Sequence, residues 1–190
     1  MKRAITIATI LAVATLTGAA AVAPHHAVAP PQQPATGDKP ELSYYGDWTV
    51  RCFPVKSPSP CDMLFATVRK DTDLRVASVS IAYVPSKDNY VMQIAVPLGI
   101  DFSQGVVVAA GQFASGKMQL RRCDRSGCFV EGPANADLIQ GLESNADQGG
   151  HLNIVAMGGK PVSLSLSLKG FAQARAAMVA SAKAKAVSAP

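Results

Sequence analysis

Four cysteines, Cys52, Cys61, Cys123 and Cys128, are the residues of this chain best suited to chemistry. Thiolates bind zinc, run redox exchange or close disulfides, and spacing helps to separate the three. Zinc sites typically space paired ligands by two to four residues, whereas eight residues lie between Cys52 and Cys61. Neither neighbouring pair has the Cys-x-x-Cys spacing of a thioredoxin-like redox site. Disulfides are the favoured reading, and four cysteines allow three pairings. Locality favours Cys52–Cys61 and Cys123–Cys128, two small clips that chain entropy values at roughly 2–3 kcal/mol each. Spacing alone does not choose among the pairings.

Other reactive groups are sparse. Of three histidines, His25 and His26 precede the folded region, which leaves His151. A serine hydrolase would need His151 to meet a serine and an acid such as Asp101 or Asp137. No Gly-x-Ser-x-Gly elbow supports that reading. Asp71 and Asp73 flank Thr72 in a turn-like stretch, and Glu131, Asp137 and Glu143 are scattered. Neither a glycosidase pair nor a calcium loop is expected, and Gly149-Gly150 and Gly158-Gly159 read as turn glycines rather than a phosphate cradle. No catalytic residue, metal ligand or cofactor is expected, and the protein is read as not an enzyme. The candidate interaction surface is aromatic and basic: Tyr44 and Tyr45, with Arg121, Arg122 and Arg125 beside the second cysteine pair. Trp48 is expected in the core, and Tyr83 could lie on either side of the surface.

These residues need a scaffold and a compartment. Residues 1–22 are read as a secretory signal peptide: Lys2 and Arg3, an apolar run to about Leu16, and a small-residue region over Gly18 to Ala23 that holds the cleavage site. The run is short for a bilayer span, which takes about 20 apolar residues. Export would place the cysteines where disulfides persist. Residues 23–42, rich in Pro and Ala, read as a disordered tether. The formal charge of +5 falls by two when Lys2 and Arg3 leave, and four further cations lie near the C-terminus, at Lys169, Arg175, Lys183 and Lys185. A nearly neutral body argues against nucleic acid as a partner.

Residues 43–171 read as strands. Trp48, Val50 and Cys52 share a face at period two, as do Ala77, Val79, Ile81 and Tyr83. Leu164, Leu166 and Leu168 alternate strictly with Ser163, Ser165 and Ser167. Strands are expected over 44–52, 61–68, 74–84, 90–96, 105–110, 117–123, 128–131, 151–157 and 162–168. One helix over 136–144, capped by Asn135 or Asp137, interrupts them. Short strands without a βαβ rhythm imply an antiparallel sandwich or barrel. Residues 172–190 form an Ala/Lys-rich tail, helical by propensity or disordered. Phe171 and Met178 could dock it on the body, or its cations could make weak contact with anionic membrane.

Gly46-Asp47-Trp48-x-Val50-x-Cys52, then Cys61, Val96-Pro97-Leu98-Gly99-Ile100, Gly105-Val106, Cys123 with Gly127-Cys128, and an alternating strand into Gly170-Phe171 follow one order. That order resembles the invasion-associated locus B family of exported bacterial proteins over roughly Tyr44 to Met178. The resemblance implies an all-β, immunoglobulin-like antiparallel β-sandwich with two local disulfides, to which the reading of the residues adds one short helix and a C-terminal helical tail. It implies a location in the periplasm, on the outer membrane surface or outside the cell, and a link to host-cell entry and virulence. No catalytic residues carry over. The expected function is a non-enzymatic envelope or surface protein with a protein or host-surface partner. The alternative is a periplasmic envelope-stress or chaperone-like factor that binds extended peptides.

Overall fold

The computed structural model describes residues 39–187, apart from 70 and 72–74. The signal peptide, most of the tether and Asp73 lie outside the described residues. Among the described residues, eleven strands form two antiparallel sheets. The larger contains β1 (Glu41–Tyr45), β2 (Trp48–Cys52), β3 (Cys61–Val68), β4 (Arg75–Val84), β5 (Asn89–Val96), β8 (Leu120–Asp124) and β9 (Gly127–Ala134), in the order β1-β2-β3-β4-β5-β9-β8. The smaller contains β6 (Val107–Ala110), β7 (Phe113–Ala114), β10 (Gly150–Val155) and β11 (Pro161–Leu166), in the order β11-β10-β6-β7. Helices α1 (Ala136–Ser144) and α2 (Phe171–Val187) complete the fold. This is the all-β sandwich expected, with its short helix and a helical C-terminus.

Register follows from the period-two pattern. Val50 faces Met63, Met63 faces Ile81, and Ile81 faces Met92 across β2 to β5. Each of these side chains is buried, so one inner face runs continuously across the sheet, as pleating requires. Leu152, Ile154, Val108 and Leu166 supply the opposing layer. Trp48, fully buried, packs edge-on against Phe171 at 5.1 Å and tilted against Phe65 at 5.7 Å. Its indole N–H donates to the Ser167 carbonyl at 2.9 Å, which satisfies the one polar atom the residue brings into the core.

Several boundaries move. The stretch 44–52 is a hairpin rather than one strand: it bends at Gly46-Asp47, and β1 starts at Glu41, within the segment read as tether. An exposed edge strand such as β1 carries no buried alternation to reveal it. The strands expected from 105 and 117 begin at Val107 and Leu120, and the one expected to end at 168 ends at Leu166; Leu74, where another was expected to begin, lies outside the described residues. The two-residue strand β7 is too short to leave a pattern. Asn135, not Asp137, caps α1, its side chain accepting from the Leu138 N–H at 2.9 Å.

Helix α2 lies over β1 to β4. Phe171, Ala174, Met178 and Ala182 are fully buried along one stripe at helical spacing. The two alanines carry little apolar surface, yet their small size lets the helix approach the sheet closely. The helix cations face partners on the body. Arg175 binds Glu143 at 2.5 Å and the Tyr90 hydroxyl at 2.9 Å, Lys183 sits 5.4 Å from the Tyr83 ring, and Lys185 pairs with Glu41 at 3.2 Å. Burial opposes charge on Arg175, but the hydrogen bonds to Glu143 and Tyr90 outweigh it and hold its pKa above the ordinary value.

Candidate functional site

Both disulfides close between residues directly opposite one another on neighbouring antiparallel strands. Cys52 faces Cys61 across β2 and β3, and Cys123 faces Cys128 across β8 and β9. Such pairs bring side chains close enough to bridge without moving backbone. The first clip anchors the Pro-rich loop 53–60 at its base. The second holds a two-residue turn, Arg125-Ser126, away from the sheet.

The reactive groups weighed in the sequence are dispersed. His151 is exposed on β10, in register with Ser165 and Ala109. Asp101 accepts from the Ser103 hydroxyl at 2.7 Å and its N–H at 3.0 Å. The hydroxyl first, then the N–H, draws the Asp101 carboxyl below its ordinary pKa. Asp137 lies in the first turn of α1, where a negative charge suits the helix dipole. Glu143 is taken by Arg175. Asp62, on the outer face of the large sheet, binds Arg51 through both oxygens and accepts from Ser80 at 2.7 Å. Each of these bonded carboxylates serves a local turn, strand pair or helix contact.

The aromatic candidates separate. Tyr44 and Tyr45 alternate on β1, so Tyr44 is 72% exposed while Tyr45 packs half-buried against the core. Tyr83 is buried, pairs with Tyr90 at 5.3 Å and donates its hydroxyl to Asp88 at 2.5 Å. That hydrogen bond, followed by burial, raises its pKa.

The basic candidates are divided too. A bulge between Leu120 and Arg122 puts Arg121 out of register, where its Nε reaches the Glu131 carbonyl at 3.5 Å. Arg122 sits over the Phe129 ring, 4.0 Å from its centroid, and is held by Asp124 and by Glu131 at 3.1 Å. Arg125 turns up elsewhere, lining a cavity with Arg69 and Arg75. The sequence gives no local sign of this grouping, because the β3–β4 connection and the β8–β9 turn meet only in the folded sheet. Two exposed features therefore stand out: the free edge of β1, with Leu42 and Tyr44, and the basic end of the large sheet, with Leu98 56% exposed nearby.

Comparison with known proteins places this fold. The chain is 27% identical over 134 residues to an invasion protein B homolog of Brucella abortus (strain 2308), and equally to one from Brucella abortus biovar 1 (strain 9-941). Each alignment covers 68% of this chain and 74% of the relative. The crystal structure of invasion associated protein B from Bartonella henselae superposes with a TM-score of 0.64 at 22% identity, over 74% of this chain and 96% of the other. That likeness shows a shared fold. The family model for invasion associated locus B (IalB) protein matches residues 48–179, from the core tryptophan to the docked helix. The chain belongs to the invasion associated locus B family.

Proposed function

We propose that this protein is exported and non-enzymatic, a disulfide-clipped β-sandwich of the bacterial envelope or cell surface that presents loops and edge strands to a protein or host-surface partner. Family membership over residues 48–179 is the observation that carries the reading. The relatives' names connect them with invasion. Two cross-strand disulfides suit an oxidising compartment, and the N-terminal sequence has the layout of a signal peptide. The carboxylates described above are engaged in structural contacts, which supports a scaffold role. Contact with anionic membrane through α2 is a lesser part of the reading, since Arg175, Lys183 and Lys185 already face the body.

Fractionation of the producing cells with thiol mapping tests it. The expected result is mature protein outside the cytoplasm with Cys52–Cys61 and Cys123–Cys128 oxidised. Cytoplasmic protein with free thiols would overturn it. A second reading, a periplasmic stress or chaperone-like factor, is favoured by β1, an outer edge strand with Leu42 and Tyr44 47% and 72% exposed. Such an edge can accept an extended peptide as an added strand. A peptide-array screen separates the two: capture of many unrelated extended peptides supports the second, and a single envelope or host partner supports the first.

A further inference from the structure

At one end of the large sheet, three arginines from two parts of the chain line a single open cavity of about 280 Å³. Arg69 follows β3, Arg75 opens β4, and Arg125 sits in the β8–β9 turn. Pro97 and Leu98, just after β5, add an apolar wall, and Ser126 contributes beside Arg125. Arg69 has one acidic neighbour, Asp71 at 3.8 Å, with both side chains more than half exposed. Among the described residues, the guanidinium groups of Arg75 and Arg125 have neither an ion pair nor a hydrogen bond.

The fold sets these cations together. The Cys123–Cys128 disulfide fixes the base of the turn that carries Arg125. Asp124, the acid beside Arg125 in sequence, is occupied: it accepts from the Ser126 N–H at 2.7 Å and binds Arg122. Unpaired like charges sharing a cavity repel one another unless an anion enters. The planar fork of arginine matches the paired oxygens of phosphates and carboxylates. The volume lies near the lower end for small-ligand sites, about 300 Å³.

We propose that this cavity binds a phosphate-bearing headgroup, with the phosphate between Arg75 and Arg125, Arg69 at the rim, and any apolar continuation along Pro97 and Leu98. The site stands on its own geometry and does not depend on the export reading. Its phosphate comes from a soluble phosphorylated compound or from a lipid surface, and the experiment distinguishes the two.

The purified full chain is titrated with inorganic phosphate while amide NMR shifts are followed. Separately it is sedimented with phosphatidylcholine vesicles, with and without phosphatidic acid. Arg75→Gln and Arg125→Gln are compared with Lys87→Gln, which removes the same charge beyond the far end of the ten-residue β4. At about 3.3 Å per residue that is roughly 30 Å away, several Debye lengths at physiological salt. Near-UV circular dichroism verifies folding, and Arg125→Gln, on an exposed turn, carries the test should Arg75→Gln misfold. The expected result is saturable phosphate binding with shifts centred on Val76, Ser126 and Gly127. Each arginine variant should weaken it by about ten- to a hundredfold, the worth of one hydrogen bond to a charged group, while Lys87→Gln leaves it unchanged. Vesicle binding alone, with the same dependence on the two arginines, supports a lipid source. Binding to neither probe, or equal loss in Lys87→Gln, overturns the site.

Discussion

Replacing Phe171 by alanine tests whether α2 is part of the core. The ring is fully buried and meets Trp48 edge-on at 5.1 Å. Phe→Ala in a well-packed core costs about 3–5 kcal/mol, of which the cavity left behind is a substantial share. The aromatic pair accounts for roughly 0.5–1.5 kcal/mol of that. Phe171 opens the helix, so its loss also loosens the anchor for Ala174 and Met178, which points to the upper half of the range. At about 2–4 °C per kcal/mol for a domain of this size, the melting temperature should fall by roughly 8–20 °C. Trp48 is the chain's single tryptophan, so its fluorescence reports directly on the contact. Urea unfolding followed by Trp48 emission and by far-UV circular dichroism gives both the free-energy loss and a test of cooperativity. Coincident wild-type transitions and a large loss in the variant are expected. A loss below about 1 kcal/mol, in the range typical of surface changes, with unshifted Trp48 emission would refute the argument that α2 completes the core.

Three further outcomes rest on the disulfides, a glycine and two carboxylates. Paired replacement of Cys52 and Cys61 by serine should cost roughly 2–3 kcal/mol and the same change at Cys123 and Cys128 slightly less, since its loop is shorter (sequence separation 5 against 9); urea midpoints measure both. Gly170 has φ +84°, and a Cβ there would lie 2.1 Å from the Tyr45 carbonyl oxygen, so Gly170→Ala should destabilise by about 2 kcal/mol or more, read from thermal melts. The carboxyls of Asp101 and Asp124 are held below their ordinary 3.8, by the Ser103 hydroxyl in one case and the Ser126 N–H in the other. A depressed carboxyl stabilises the fold fully above its unfolded pKa, and that contribution is lost as pH falls below 3.8 and through the folded value. Asp101→Asn should accordingly flatten the acid limb of the stability profile, leaving the difference between neutral and acidic urea midpoints smaller than in the wild type.

The parts of the fold that could be read in advance are those whose pattern is local and repeated. From Val79 to Tyr83, β4 alternates buried with half-buried residues, β11 alternates exposed with less exposed ones, and the second cysteine pair brackets a recognisable turn. β1 was hidden because an edge strand exposed at Leu42, Ser43 and Tyr44 lacks that signal. The hairpin at Gly46-Asp47 was hidden because period two holds on its downstream arm alone. Helix α2 was legible as a helix, but its docking rests half on Ala174 and Ala182, whose value lies in how little space they occupy. The candidate surface was the least legible. Arg121, Arg122 and Arg125 are neighbours in sequence, yet a bulge, a phenylalanine face and two acids divide them. The arginines that do share a cavity lie as far apart as 69 and 125.

The hydrogen bond from the Trp48 indole to the Ser167 carbonyl joins residues 119 positions apart, and that from Ser167 to Asp47 spans 120. The first hairpin and the last helix thus finish the same core. A growing chain that holds residues 41–160 has its large sheet's strands but not the lid for Trp48, and apolar surface stays open until the final segment arrives. Contacts of such high sequence separation carry a loop-closure cost that slows folding. A chain cut before Pro161 would therefore keep its large sheet but leave Trp48 without the cover of Ser167 and Phe171.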